Sequence, residues 1–190
     1  MPNIKLIISM KKIFFILLLG ILSISTFSQK GDLTVGAKGG YAISTSDLKY
    51  KGVLYGIDIA YHLSYPLEIA FTGLMNPSIP RDNSTLAVYS ANMDFRLYLI
   101  HQREWATGPA LGGQYYIADD KTANLGSDKA LGFNIGWHVR ANLTDNIKIN
   151  GGWRYSNASS KDKKSIFGDT KYDISNHLIY IGIAYTFELR

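Results

Sequence analysis

From residue 29 onward, apolar and polar residues alternate along this chain, and apolar positions nowhere recur at a sustained helical spacing. Between Leu33 and Tyr41, the residues Leu33, Val35, Ala37, Gly39 and Tyr41 share one face, while Thr34, Gly36, Lys38 and Gly40 share the other. Val53 to Tyr61 repeats the pattern. Six further segments follow: Leu67 to Met75, Ala87 to Leu99, Trp105 to Ile117, Leu131 to Leu143, Ile147 to Tyr155 and Ile179 to Phe187. The pattern predicts eight strands. Short turns are expected near Ser64-Tyr65-Pro66, Ile100 to Arg103 and Thr144-Asp145-Asn146, and longer polar loops over residues 44–51, 76–84, 118–129 and 157–173. With the amino terminus on the periplasmic side, every short turn falls at one end and every long loop at the other. That is the arrangement of an up-and-down antiparallel barrel in a membrane.

Eight strands can also close into a soluble, calycin-like barrel with an apolar ligand cavity, so the composition of the two faces must decide. Of 46 odd-numbered strand positions, 40 are aliphatic or aromatic, and none is charged. The exceptions are Gly39, Gly73, Gly113, Gly151, Thr107 and Pro109. The even-numbered face carries Lys38, Asp58, Glu68, Asp94, Arg96, Arg140, Lys148, Arg154 and Glu188, among many Gly, Ala, Ser, Thr and Asn. An eight-strand lumen is only wide enough to be filled by side chains. The odd face, with Trp105, Trp137, Trp153 and many Tyr, would overfill it. The even face fits, because Gly36, Gly40, Gly56, Gly108, Gly112, Gly132, Gly136, Gly152 and Gly182 leave room for long Arg and Lys side chains. The expected object is therefore all-β: an eight-stranded antiparallel up-and-down transmembrane β-barrel with lipid outside and a closed, polar, charge-paired lumen.

Aromatic placement agrees with this reading. Tyr61, Trp105, Tyr185 and Phe187 fall near the periplasmic strand ends, and Tyr41, Tyr55, Tyr89, Tyr115 and Tyr155 near the outer ends. Two such belts belong where amphipathic rings meet lipid headgroups. Trp137 and Trp153 sit deeper than this rule prefers. Pro109 cannot donate to a ladder and predicts a bulge or local distortion.

Residues 1–28 read differently. Lys11 and Lys12 precede an apolar run of ten residues, Ile13 to Leu22, and small residues end the segment before Gln29. This is the pattern of a cleaved signal peptide, with Met10 a candidate true start. Ten apolar residues fall well short of the roughly 20 that a spanning helix needs. Removing the segment takes away Lys5, Lys11 and Lys12, so the net charge of +5 falls to +2. No Lys/Arg cluster remains to form a nucleic-acid footprint. The chain has no cysteine, which excludes disulfides, thiolate metal sites, a cysteine nucleophile and a lipoprotein anchor. With 46% apolar and 18% charged residues, it is not a disordered chain either.

The run GFNIGWHVRANLTDNIKINGGWRYS, Gly132 to Ser156, resembles the last hairpin of the outer membrane protein beta-barrel domain family, the small OmpA/OmpX-type barrels. IYIGIAYTFELR, Ile179 to Arg190, is similar to their closing strand, with an aromatic pair at Tyr185 and Phe187. Family members often end on the aromatic residue itself, whereas here Glu188-Leu189-Arg190 follow. The resemblance covers residues 29–190. It implies an outer-membrane location in a Gram-negative cell, outer-membrane lipids and lipopolysaccharide as surroundings, and recognition of the closing strand by the barrel assembly machinery.

Three readings of the chemistry follow. The lumen charges could form an ion or proton path, but buried charges must be partnered in any case, and open porins need about twice as many strands. A lipid-modifying enzyme would need a nucleophile, a base and an orienting acid within reach of one another. His62 and Ser64 have a His-x-Ser spacing resembling outer-membrane lipid A deacylases, but at the wrong end of the barrel. His177, beside Asn176 and Ser175 at the outer end, is the better-placed candidate, and His138 is a lumen filler. The outer loops, with Lys161, Asp162, Lys163, Lys164, Asp169 and Lys171 in the longest, suit adhesion or contact with lipopolysaccharide phosphates. Asn157-Ala158-Ser159 matches a glycosylation sequon. No cofactor or metal motif is present. The expected role is structural or interactive, without catalysis.

Overall fold

The computed structural model describes residues 31–45, 50–81, 84–120, 127–159 and 173–188. The signal peptide expected over residues 1–28, the charged loop residues Lys161 to Lys171, and Leu189-Arg190 lie outside them. The strands are β1 (Asp32–Ser44), β2 (Lys51–Ser64), β3 (Leu67–Arg81), β4 (Ser84–Leu97), β5 (Ile100–His101), β6 (Trp105–Asp120), β7 (Ser127–Asn142), β8 (Ile147–Ser159) and β9 (Asp173–Glu188). Each long strand pairs antiparallel with its chain neighbour. β1 pairs with β9, and β4 pairs with β6. The two-residue β5 prolongs the β4 stave along β6. The sheet thus closes into a barrel of eight staves, each paired with a neighbour on both sides, so the closed sheet leaves no free edge stave.

All eight predicted segments lie on these staves, but the strands run further at the loop end. At about 3.3 Å per residue and a tilt near 40°, the nine residues from Leu33 to Tyr41 cover about 23 Å, close to the height of a membrane band. A strand of 16 residues, such as β6, reaches about 40 Å at the same tilt. The loop expected over residues 76–84 is a correction to the sequence reading. β3 continues to Arg81 and β4 begins at Ser84, so only residues 82–83 connect them. The polar Asn76-Pro77-Ser78 run that suggested a loop is a bulge. Register shifts by one between Asn76 and Ile79; the Asn76 amide donates to the Val53 carbonyl at 2.6 Å, and the Ser78 N–H donates to Asn76 Oδ1 at 2.8 Å. A one-residue slip exchanges faces, which is why odd-numbered Ile79 points into the lumen and is fully buried.

Pro109 also marks an irregularity. The β4–β6 ladder ends at Arg96↔Ala110 and resumes one residue out of register at Ile100↔Thr107. Opposite this break, a Cβ on Gly108 would stand 1.8 Å from the Leu97 carbonyl oxygen, so only glycine permits the approach. At the other turn, the Leu143-Thr144-Asp145-Asn146 sequence is held by two side chains. Thr144 Oγ1 accepts the Ile147 N–H at 3.0 Å, and the Asn146 amide donates to the Thr186 carbonyl at 3.1 Å.

Candidate functional site: the lumen and its two faces

The outward face is apolar and the inward face is buried. Among the described residues, every large hydrophobic side chain that is exposed on a strand is odd-numbered except Ile100 of β5. All nine expected belt residues face outward. Tyr41, Tyr55, Tyr89 and Tyr115 are exposed and Tyr155 half-buried at the loop end; Tyr61, Tyr185 and Phe187 are exposed and Trp105 half-buried at the turn end. Tyr65, in the expected first turn, is also exposed and stands edge-on to His101 at 4.9 Å, beside the aromatic residues of the turn end. Trp137 is also outward, 44% exposed, and its depth has a physical account. Its indole N–H donates to Thr107 Oγ1 at 2.6 Å, so no donor is left bare in lipid.

Inside, eight of the nine expected lumen charges are buried. Asp58 Oδ1 accepts from Lys38 Nζ at 2.7 Å, from Arg96 Nη2 at 2.8 Å and from Thr72 Oγ1 at 2.5 Å. Arg96, lying opposite Glu68 in the β3–β4 register, donates Nη1 to Glu68 Oε1 at 2.9 Å, and the Tyr98 hydroxyl donates to the same oxygen at 3.2 Å. The second Glu68 oxygen faces His62 Nε2 at 2.9 Å and accepts from Arg140 Nη1 at 3.2 Å. Arg140 comes from β7, so this contact crosses the bore. A second crossing joins Arg154 on β8 to Asp94 on β4. The Asp94 carboxylate has room because a Cβ on Gly112 would stand 2.7 Å from its Oδ1. Lys38 also lies over the Tyr180 ring at 4.5 Å, and Arg140 over the Tyr98 ring at 4.6 Å.

Two expected members stand apart from this network. Glu188 is exposed at the turn-end rim, where β9 finishes opposite Asp32, and makes no ion pair among the described residues. The strict alternation that placed it in the lumen holds, but the residue lies beyond the end of the bore. Lys148 is buried yet has no carboxylate within ion-pair distance among the described residues.

Sequence reading missed a further layer. At the loop end the lumen is apolar. Tyr50, Leu54, Leu74, Ile79, Leu86, Val88, Tyr116 and Ile174 form one buried cluster, crossed by a hydrogen bond of 2.5 Å between the Tyr50 and Tyr116 hydroxyls. Beyond the loop-end Tyr residues polar side chains enter the outward positions, at Lys51, Lys129, Asn157 and Ser159, beside the still exposed Ile43. At the loop end the lumen is thus apolar and the outward face mixed, closer to the inside-apolar order of a soluble barrel than the rest of the strands are. The signal was present in Leu54, Leu74, Leu86 and Val88 on the even face, which the charge count passed over.

The histidine candidates make aromatic and ionic contacts among the described residues. His177 stands half-buried on the outward side, against Trp153 (ring centroids 5.7 Å apart) and Tyr155 (5.0 Å), and its Nδ1 accepts the Trp153 indole N–H at 3.2 Å. His62 belongs to the Glu68 cluster. His138, fully buried, bonds through Nδ1 with the Tyr180 hydroxyl at 3.0 Å. Among the described residues no group of three or more His, Cys, Asp or Glu is placed to hold a metal.

The architecture is similar to several solved structures. Neisserial surface protein A shares 16% identity at a TM-score of 0.69, over 82% of this chain and 97% of that one. The N-terminal β-barrel domain of OprF from Pseudomonas aeruginosa shares 14% at 0.56, over 84% and 98%. Ail, the attachment invasion locus protein of Yersinia pestis, solved with the heparin analogue sucrose octasulfate, shares 14% at 0.54, over 84% and 100%. At these identities the likeness is one of fold. No curated protein matches the chain in sequence. Residues 14–187 match the outer membrane protein beta-barrel domain model. With the closed barrel and its lipid-facing belt, this chain belongs to the outer membrane protein beta-barrel domain family and resides in the outer membrane.

Proposed function

We propose that this protein is a non-conducting barrel that acts through its outer rim and loops, as a structural or adhesive element of the cell surface, without catalysis. The observation that carries the proposal is the double closure of the lumen. Ion pairs bridge the bore at Glu68–Arg140 and Asp94–Arg154, and the apolar cluster around Tyr50 and Tyr116 lies above them. Eight staves leave just enough interior for these side chains. Function then falls to the surface. The rim carries exposed Lys51 and Lys129, and the charged residues Lys161 to Lys171 lie in sequence between β8 and β9. Ail, a named attachment protein of the same fold, supports that use of the scaffold. In this reading residues 1–28 direct export, the assembly machinery reads the closing strand through Tyr185 and Phe187, and loop cations meet lipopolysaccharide phosphates. His177 serves the membrane boundary with Trp153 and Tyr155.

Single-channel recording in planar bilayers tests the seal. The expected trace is flat, with no reproducible unit conductance. A stable open level of porin size would contradict the proposal.

A further inference from the structure

The lumen does not balance its charge. Among the described residues, five cations, Lys38, Arg96, Arg140, Lys148 and Arg154, are buried against three carboxylates, Asp58, Glu68 and Asp94, while Glu188 is exposed at the rim. Against the buried carboxylates alone two positive charges are left over; half-buried Asp32, at the turn-end mouth, offsets part of the charge of Lys148 without forming an ion pair with it. Buried charge calls for a counter-charge, and it can enter from one side. At the turn end a cavity of about 430 Å³ opens below the Glu68 cluster, with Arg140 and Lys148 in its lining. Lys148 pairs with Asn142 across the β7–β8 ladder, one inward-facing step from Arg140↔Asn150, so the two cations lie diagonally on one wall. They are 7% and 8% exposed. Arg140 engages Glu68 with Nη1 and His62 beside it, whereas Lys148 has no ion-pair partner among the described residues.

We propose that this vestibule is a binding site for one small anion, a phosphate or a carboxylate, seated on the Lys148 ammonium with Arg140 beside it. The ammonium supplies a compact charge with three donors, and the guanidinium beside it suits an oxyanion with more than one acceptor. Asp32, Glu104, Asp145 and Glu188 also line the cavity; Asp32 is half-buried and the other three are exposed. Their position at the mouth disfavours polyanions and leaves the seat to a small ion. The site faces away from the loops and is independent of their role.

The test uses the refolded chain in uncharged maltoside micelles at constant sodium chloride. Inorganic phosphate is titrated calorimetrically, and a parallel arm dopes the micelles with phosphatidylglycerol. The expected result is saturable binding of one phosphate, weakened tenfold or more by Lys148→Met, retained by Lys148→Arg and untouched by Lys51→Met at the loop end. Heat-dependent gel mobility verifies folding of each variant, and Lys148→Gln replaces Lys148→Met should that variant fail to fold. Saturation only in the doped micelles, again dependent on Lys148, assigns the seat to a lipid headgroup phosphate. Absence of binding in both arms, or binding that survives loss of the Lys148 charge (an adventitious ion only), overturns the proposal.

Discussion

Replacing Asp58 with alanine is expected to destabilise the folded barrel by about 3–5 kcal/mol, the cost of removing one partner from a buried charge network. Asp58 is the acceptor on which Lys38, Arg96 and Thr72 converge. Its loss strands Lys38 and leaves Arg96 to Glu68 alone, in a lumen that already carries a positive excess. Glu68 cannot compensate, because His62, Arg96, Tyr98 and Arg140 already occupy its oxygens. Glu188→Ala removes the same kind of charge from an exposed rim position and is expected to change stability by less than about 0.5 kcal/mol. Urea unfolding in phospholipid vesicles, followed by tryptophan fluorescence, measures both. Equal effects for the two variants would mean that the lumen network contributes no more than a surface carboxylate.

The second large effect belongs to the outer face. Ile181 sits midway along β9, paired with Gly39 and Gly151, and is 66% exposed. Ile181→Arg is expected to cost about 2–4 kcal/mol in the same vesicle assay, the penalty for a cation near the bilayer midplane. On a soluble barrel, an arginine at so exposed a position would be close to neutral. A ΔΔG near zero would therefore count against lipid contact at this position.

The fold was legible because a membrane barrel writes its two environments into alternate residues. Leu33 to Tyr41 and Ile179 to Phe187 keep one parity throughout, and the structure pairs them residue for residue from Leu33↔Phe187 to Tyr41↔Ile179. The charged inward positions were legible for the same reason. Individual partners were not, because Arg140–Glu68 and Arg154–Asp94 cross the bore between staves that no ladder joins. Parity reading fails where a residue is inserted: the bulge at Asn76 turned a strand into an apparent loop and moved Ile79 to the other face. It is also blind to depth. Glu188 has the parity of a lumen residue but lies past the end of the bore, and Leu54, Leu74 and Val88 share the parity of Lys38 while belonging to the apolar seal. Where the membrane ends along a strand depends on strand length and tilt, which closure of the barrel decides.

The apolar outer face of the barrel touches lipid. Trp105, Trp137 and Trp153 are all on that face, so the unaltered chain carries its own reporters. Refolded into vesicles of phospholipids brominated along their acyl chains, its tryptophan fluorescence should be strongly quenched relative to unbrominated vesicles. Fluorescence indifferent to the bromine would place the indoles inside the barrel and contradict the assignment of its two faces.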